Sequence, residues 1–390
     1  MAQQFGAGQS MLRPFTFTGP QGVRNAWVIW ACVFIIIASI VAISPDRRTV
    51  GPVYGAASSK WFAGEDIYGG SIHGYLYLPQ ACILYAPFAK FPFTVGEVLW
   101  RAFCVGILAA AVWRLSRFAG RGGAVDLFPL MTLLVIPTAL GSARSGQMNL
   151  PLAAIMALAC VDLGECRWSM AAFWLALGLA LKPLIFVMLV FAAILYRPMR
   201  WRLALGILAV FSMPFLTQHA LYVWRQYRLF IVKMRVAGHP GETCCFSDIF
   251  GMARALGITA PFAVEAVVRM IAAALTLAAC RLALKRRGNE QGSFMFLAFN
   301  AFYLLLFNPR TENGTYVVAG LPMAVLAARA LFWYHQRAVA WLLIALMPVM
   351  GASYEITHGP NHWICPGVCL VFLMYVIFLL LENAQASPKQ

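Results

Sequence analysis

Long apolar runs separated by short polar connections recur along the whole chain. A helix needs about 20 apolar residues to cross the hydrocarbon core of a bilayer, so runs of this kind predict membrane helices. Two runs are too short to cross alone and meet at Lys182–Pro183, which predicts a helix pair that is broken inside the membrane. The predicted transmembrane or membrane-embedded segments are 27–43, 96–117, 127–143, 149–164, 168–181, 183–196, 203–218, 261–282, 293–308, 315–332, 338–350 and 363–382.

The composition agrees with this pattern. The chain has 390 residues, of which 62% are hydrophobic and 11% charged, whereas soluble domains carry about 25% charged residues. An ordinary soluble enzyme and a disordered protein are therefore excluded. We predict an all-α polytopic membrane protein of about twelve helices, with residues 1–390 forming a single integral membrane domain.

Basic residues outnumber acidic ones, 30 to 14, for a net charge of +16. In a soluble protein this excess would suggest nucleic acid, but the cytoplasmic loops of membrane proteins also collect Lys and Arg. Orientation explains most of the charge here, so we expect no nucleic-acid partner and place both termini in the cytoplasm. The clusters predicted to be cytoplasmic are Arg13 and Arg24; Arg114, Arg117 and Arg121; Arg167; Arg197, Arg200 and Arg202; Arg281, Lys285, Arg286 and Arg287; Arg329 and Arg337; and Lys389.

Two long connections, 44–95 and 219–260, lie on the opposite, outer side in this topology. The first contains the apolar stretch ACILYAPFAKFPF, which prolines interrupt. If that stretch crossed the membrane, the next basic cluster would be outside, so we predict that 76–93 is a helix lying in the membrane interface. The second connection mixes basic and aromatic residues and could also lie on the surface.

Polar and ionisable side chains gather in the outer connections. Such groups at membrane depth are costly and usually mark a functional cavity or pathway. The positive-inside rule disfavours so many outer basic residues, so binding an anion is the simplest reason for their presence. These outer polar residues are Asp46, Arg47, Arg48, Lys60, Glu65, Asp66, Arg144, Gln147, Asn149, Lys182, Glu242, Asp248, Arg310, Glu312, Asn313, Glu355, His358 and His362.

Three short outer connections each allow two interpretations. GSARSGQMNL, at 141–150, is either a polar turn or a turn whose glycines let the backbone approach a ligand. Lys182, in ALALKPLIF, either extends its ammonium toward the membrane surface or meets a phosphate or carboxylate. In NPRTENGTY, Arg310 and Glu312 either pair with each other or act separately, with the guanidinium binding a phosphate through two hydrogen bonds.

The first outer connection also supplies carboxylates. Asp46 and Asp66 are either solvated loop acids or catalytic groups, and Glu65 is interpreted as solvated. His358 and His362 are four residues apart, but the Gly–Pro pair between them argues against a regular helical turn that would hold zinc. We therefore predict no metal site.

Four segments together resemble a known family. They are PVYGAASSKWFAGEDIYGG…GYLYLPQACILYAPFAKFP, SGQMNLPLAAIMALA, LALGLALKPLIFVMLVFAAILYRPMRWR and NPRTENGTYVVAGLP. In their order and spacing, over about residues 50–325, they resemble glycosyltransferase family 87 of the GT-C class of membrane glycosyltransferases. The resemblance implies an inverting hexosyl transfer, often of mannose, from a polyprenyl-phosphate carrier to a lipid or glycan acceptor. It places the active site on the periplasmic or extracytoplasmic face of a bacterial plasma (inner) membrane.

One departure from the family affects the catalytic base, which GT-C enzymes usually take from the first outer loop. Family members often carry an Asp about four residues before the first-loop Tyr, and that place lies near Val50 here. Asp46 lies four residues further back, and Asp66 belongs to a different element, so the sequence leaves the identity of the base open.

The expected roles follow from the chemistry of a lipid-phosphate donor, whose phosphate is the leaving group. Cationic side chains must stabilise that phosphate, a carboxylate must accept the proton of the acceptor hydroxyl, and amides could bond the sugar hydroxyls. With cations in this role, no metal or cofactor is required. The predicted phosphate-binding residues are Arg144, Lys182 and Arg310, with Arg47 and Arg48 at the rim; the predicted bases are Asp66 and Asp46, then Glu312; the predicted sugar-binding amides are Gln147, Asn149 and Asn313.

A second class of function remains open at this point, a transporter or flippase for an anionic lipid or solute. It would also need charged groups and broken helices inside the membrane. Transporters often contain two related halves with sites near the midplane, whereas this chain shows no internal repeat and its charges lie toward one face. The transferase interpretation is therefore preferred, with the sugar donor, an acceptor and membrane lipids as partners.

Overall fold

The computed structural model describes residues 19–70, 73–121, 123, 125–238, 246–357 and 362–382. Within these ranges every regular element is a helix, which confirms the predicted all-α class. The α-helices are α1 Gly19–Ile43, α2 Gly51–Ala63, α3 Pro79–Ala89, α4 Phe93–Ala119, α5 Phe128–Ser145, α6 Asn149–Gly164, α7 Trp168–Leu181, α8 Phe186–Leu195, α9 Met199–Ser212, α10 Ala220–Ala237, α11 Ile249–Ala255, α12 Phe262–Phe307, α13 Val317–Phe332, α14 Arg337–Gly351, α15 Ser353–Ile356 and α16 Ile364–Leu381. Short 3-10 helices cover Pro183–Ile185, Met213–Leu216 and Asn313–Tyr316.

Every predicted membrane segment corresponds to a helix. Among the described residues, six helices are long and apolar enough to cross a membrane, and shorter apolar helices, among them α6, α7 and α14, accompany them. The predicted segments 261–282 and 293–308 both lie in α12, which loses helical backbone geometry at Gly288, where φ is +72°. This polytopic helical architecture is that of an integral membrane protein.

Helices α6 and α13 form the centre of the bundle. Every residue of α6 from Asn149 to Leu163 is buried, and so is every residue of α13 from Val317 to Ala330. A helix that is apolar on all faces is typical of a protein interior. Helix α6 contacts α4, α7, α12 and α13, so the residues at its first turn lie close to the ends of several other helices.

Within the described ranges, the arginines predicted to be cytoplasmic lie at one end of the bundle, which we call the basic end. Arg114 and Arg121 come from the last turns of α4 and the residues after it, and Asp162 and Glu165 from the end of α6. Arg114 Nη2 lies 2.8 Å from Asp162 Oδ1, and Arg121 pairs with Glu165. The two acids partly balance the positive charge there and hold the helix ends together.

The outer connections lie at the opposite end, which we call the site end. Helix α3 packs against α2, α4 and α7 and buries Gln80, Cys82 and Tyr85. The interfacial position predicted for 76–93 stays a prediction. The predicted cytoplasmic termini, 1–18 and 383–390, and residues Glu242 and His358 lie outside the described ranges.

Candidate active site

The turn between α5 and α6 presents two amides at the site end. Helix α5 ends at Ser145. The next residue, Gly146, has a φ of +69°, and a Cβ there would lie 2.7 Å from the Arg101 guanidinium, so only glycine fits. Gln147 Oε1 then accepts a hydrogen bond of 2.8 Å from Asn149 Nδ2. The predicted sugar-binding pair Gln147 and Asn149 is thus held in one orientation.

Lys182 lies at a break between two helices. Helix α7 ends at Leu181, and Lys182 adopts an extended conformation (φ −150°, ψ 121°) because Pro183 disfavours helical geometry in the residue before it. Its Nζ donates a hydrogen bond to Asn149 Oδ1 and lies 6.0 Å from the centre of the Tyr77 ring. The ammonium therefore points into the bundle and does not extend to the membrane surface.

The connection 308–316 lies beside the same amides. Gly314 packs so closely that a Cβ there would lie 2.2 Å from Gln147 Oε1, and its carbonyl accepts a bond of 2.5 Å from Ser142 Oγ. Asn313 Oδ1 accepts a 2.6 Å bond from Ser247 Oγ. Asn313 Nδ2 is buried and has no hydrogen-bond partner among the described residues, so a donor remains for a ligand.

Arg310 and Glu312 are near each other without forming a tight pair. Arg310 Nε lies 3.8 Å from Glu312 Oε1, and the guanidinium also lies over the Phe246 ring at 5.2 Å. Glu312 is half exposed. Both belong to the connection that packs against Gln147 through Gly314, and both act electrostatically on Lys182 and on the Tyr77 hydroxyl.

Two tyrosines that the sequence did not single out for the site complete this region. The hydroxyls of Tyr54 and Tyr77 are 3.0 Å apart, and the Tyr54 hydroxyl accepts the Met148 backbone N–H at 3.3 Å. Burial raises the pKa of Tyr77 to about 12, so its hydroxyl stays protonated. We call the whole group the cation cluster; its members are Tyr77, Gln147, Asn149, Lys182, Arg310, Glu312 and Asn313.

The other predicted phosphate-binding arginines make no hydrogen bond or ion pair with the cation cluster within the described ranges. The Arg144 guanidinium makes no hydrogen bond or ion pair within the described ranges, and its Nε is buried. Arg48 lies 5.8 Å from the centre of the Tyr354 ring, and Arg47 is exposed. The rim position of Arg47 and Arg48 stays a prediction, while Arg144 retains an unsatisfied buried donor.

Comparison with known proteins identifies the family. The model of Glycosyltransferase family 87 matches residues 75–309, more than half of the chain. The chain belongs to glycosyltransferase family 87. Its structure is similar to that of ArnT from Cupriavidus metallidurans in the apo state, with a TM-score of 0.45 and 13% identity over 92% of this chain and 77% of that one. No curated protein matches in sequence.

Family membership shows that this protein is a membrane glycosyltransferase of the GT-C type, as the sequence resemblance implies. The region that matches family 87 contains Tyr77, Gln147, Asn149 and Lys182, and it ends one residue before Arg310. The three predicted bases lie outside the matched region, so their assignment depends on the geometry alone.

Asp66 is engaged in holding two outer elements together. Its carboxylate pairs with Arg225 and accepts a 2.8 Å hydrogen bond from Gln226 Nε2. Both partners belong to α10. These contacts connect the first outer connection to the second, so the Asp66 carboxylate has a structural role.

Asp46 is in a different environment. It is exposed in the turn that precedes α2, and no described residue pairs with its carboxylate. It lines the mouth of a cleft between α2, α3 and the start of α4. Of the three predicted bases, Asp46 alone has neither a hydrogen bond nor an ion pair in the described part of the chain.

A buried ion pair near this cleft was missed by the sequence analysis. Glu97 and Arg101 are 1% and 0% exposed, and the Arg101 Nη1 lies 2.5 Å from Glu97 Oε2. Thr49 also donates to Glu97, and Tyr85 does so at 2.8 Å. Arg101 Nη2 donates to the Arg144 carbonyl at 3.0 Å, so the pair ties the first outer connection to the α5–α6 turn.

The signal for this pair was present in the sequence. Glu97 and Arg101 are four residues apart inside the predicted segment 96–117, and charges within an apolar segment usually face a partner in the bundle. The position of the pair makes it a positioning element for the end of α5, which carries Arg144, and for the turn that follows, which carries Gln147.

Proposed function

We propose that this family 87 enzyme transfers a hexose, with mannose as the first to test, from a polyprenyl-phosphate carrier to an acceptor hydroxyl, with inversion at the anomeric carbon. The observation that carries the proposal is the cation cluster. Lys182 bonds Asn149 there, and the connection that carries Arg310 and Asn313 packs against Gln147 through Gly314, so residues from three connections far apart in sequence come together.

The cluster suits a sugar phosphate because the leaving group gains charge as the bond to the anomeric carbon breaks. Preorganised cations and N–H donors stabilise such charge most effectively in a site with little water. Lys182 and Arg310 would contact the phosphate, and Arg310 has the planar shape that binds two phosphate oxygens at once. The unsatisfied Asn313 Nδ2 and the neighbouring amides would bond the sugar hydroxyls.

Asp46 is the proposed base. In the transfer, the acceptor oxygen forms a bond to the anomeric carbon, the bond from that carbon to the phosphate oxygen breaks, and the acceptor proton passes to a carboxylate. Asp66 already binds Arg225 and Gln226, and Glu312 lies beside the two cations. Asp46 has no competing partner in the described ranges and lines an open cleft.

The proposed location is the plasma membrane of a bacterium, with the site end on the extracytoplasmic face. Support comes from the basic end, where the arginines that follow α4 and flank α7 gather on the side opposite to the cation cluster. Basic clusters of this kind mark cytoplasmic loops.

The decisive experiment is an assay of the protein in lipid nanodiscs with radiolabelled polyprenyl-phospho-mannose. A transferase consumes the donor and forms a labelled product together with free polyprenyl phosphate. A second assay in vesicles measures whether the intact lipid changes leaflet. Movement of the lipid without cleavage, for each polyprenyl-phospho-hexose offered, would refute the transferase proposal and support the transporter alternative.

A further inference from the structure

The cleft that Asp46 borders has a different lining from that of the cation cluster. It lies between α2, α3 and the start of α4 and has a volume of about 390 Å³, within the range of small-molecule sites. Two glycines shape it. A Cβ at Gly51 would strike the Glu97 carboxylate at 1.8 Å, whereas a Cβ at Gly55 would meet nothing within 4 Å because it would project into open space.

The polar groups of the cleft are acidic or neutral. Asp46 lies at its mouth, Ser59 on its wall and Glu97 at its floor, and none of the described Lys or Arg residues lines it. The Glu97 oxygens are already occupied by Tyr85, Thr49 and Arg101. Asp46 is therefore the one charge of this lining that no described partner balances, which disfavours an anion such as phosphate and suits a neutral ligand that donates hydroxyl protons.

The remaining walls are aromatic and small apolar side chains. Phe88, Phe91 and Phe93 line one side, and Ala56 with Gly55 lines the other. Aromatic faces carry partial negative charge, which attracts the polarised C–H groups on one face of a pyranose ring. A sugar ring linked to an apolar chain therefore matches the lining, with its hydroxyls toward Asp46 and Ser59.

The cleft is also adjacent to the cation cluster. The Tyr54 ring contacts Tyr85, which lines the cleft, and Tyr77, which belongs to the cluster. The distance between ring centroids is 5.4 Å in each pair. One buried side chain thus touches both regions.

From these observations we infer that the cleft binds the acceptor, and that the acceptor is a neutral glycoside with an apolar aglycone rather than an anionic lipid. This inference rests on the proposed function, since it assigns the second substrate of the same reaction. It makes Gly55 and the three phenylalanines determinants of acceptor specificity.

The probe that tests the inference is octyl α-D-mannoside carrying a diazirine in its alkyl chain, added to the protein in nanodiscs. We expect photolabelling in peptides that contain residues 51–59 or 85–93, and competition by octyl α-D-mannoside but not by octyl phosphate. Gly55→Phe fills the cleft and should reduce labelling by at least about tenfold, because a well-packed cavity has no room for a second group.

Gly106→Phe is the matched control, since Gly106 is exposed on α4 and its Cβ would also meet nothing within 4 Å. Photolabelling of the Gly106→Phe protein should equal that of the wild type. Labelling elsewhere, competition by octyl phosphate, or full sugar transfer to octyl mannoside by Gly55→Phe would overturn the inference. Donor consumption by the wild type is measured in parallel, so cleft labelling without any donor cleavage would refute the proposed function and not the neutral-glycoside site.

Discussion

Glu97 and Arg101 form an ion pair of 2.5 Å from which solvent is excluded. The pair also bonds Thr49, Tyr85 and the Arg144 carbonyl. A buried charge that loses its partner is strongly destabilising, by about 3–5 kcal/mol. We therefore expect Glu97→Gln and Arg101→Met each to lower the midpoint of thermal unfolding in detergent substantially.

The matched control for this pair is Asp126→Asn, which removes the charge that lies 3.5 Å from Arg117 on the surface. Arg117 is 57% exposed, so solvent screening limits the loss to less than about 1 kcal/mol. The double variant Glu97→Leu/Arg101→Met should be less destabilised than the sum of the single variants. Equal midpoints for Glu97→Gln and Asp126→Asn would show that the buried pair does not stabilise the fold.

Lys182→Met should reduce sugar transfer by about 100-fold or more, because it removes a preorganised charge at the leaving phosphate. Lys60→Met, on an exposed position of α2, should transfer at the wild-type rate. The measurement is the initial rate of product formation from polyprenyl-phospho-mannose, with expression and unfolding midpoint recorded for both variants. Wild-type activity in Lys182→Met would remove Lys182 from the phosphate site.

Variants of the predicted bases should differ in their transfer rates in the same assay and in their unfolding midpoints. Asp46→Asn should cause the largest loss, about 100-fold to 10,000-fold, with an unchanged unfolding midpoint because its carboxylate has no partner in the described ranges. Asp66→Asn should weaken the attachment of the first outer connection to α10 and lower the midpoint, with a smaller loss of rate. A stable Asp66→Asn protein without activity would instead identify Asp66 as the base.

Gly314→Ala should disturb the site directly. Its new methyl group would lie 2.2 Å from Gln147 Oε1 and 3.1 Å from Ser142 Oγ, so the amide that orients Asn149 must move. We expect a clear loss of transfer, since misplacement by about 1 Å can cost about 100-fold. Gly141→Ala is the control, because its Cβ would meet nothing within 4 Å, and helix propensity alone favours alanine. Similar rates for the two variants would argue against a role for Gln147.

Much of the architecture was predictable because length and apolarity act locally. Each predicted segment became a helix, and the junction at Lys182–Pro183 became a break, because a proline restricts the residue before it whatever the surroundings. The amides at 147 and 149 and the 308–316 connection were singled out for the same reason: polar residues between long apolar runs stand out without any knowledge of contacts.

The pairings across long sequence distances were not predictable. Asp66 pairs with Arg225, which is 159 residues away in the chain. The residues next to Asp66 in the sequence do not show whether its carboxylate has a partner. The same holds for Lys182 and Asn149, whose hydrogen bond depends on the packing of α7 against α6. The sequence offered both Asp46 and Asp66 as candidate bases, and they differ in the structure because only Asp66 has bonding partners in the described ranges.

The tyrosine between the two proposed substrate regions has one more consequence. An activated sugar is vulnerable to hydrolysis, and sites that exclude water suppress that loss. Tyr54 is 1% exposed and packs against the rings of Tyr77, Tyr85 and Trp100, so the wall beside the place where the two substrates would meet is aromatic carbon with few places for a water molecule. Water would have to arrive by the route that the acceptor uses, and a bound acceptor would block it. This aromatic wall would thus favour glycosyl transfer over hydrolysis without any moving lid.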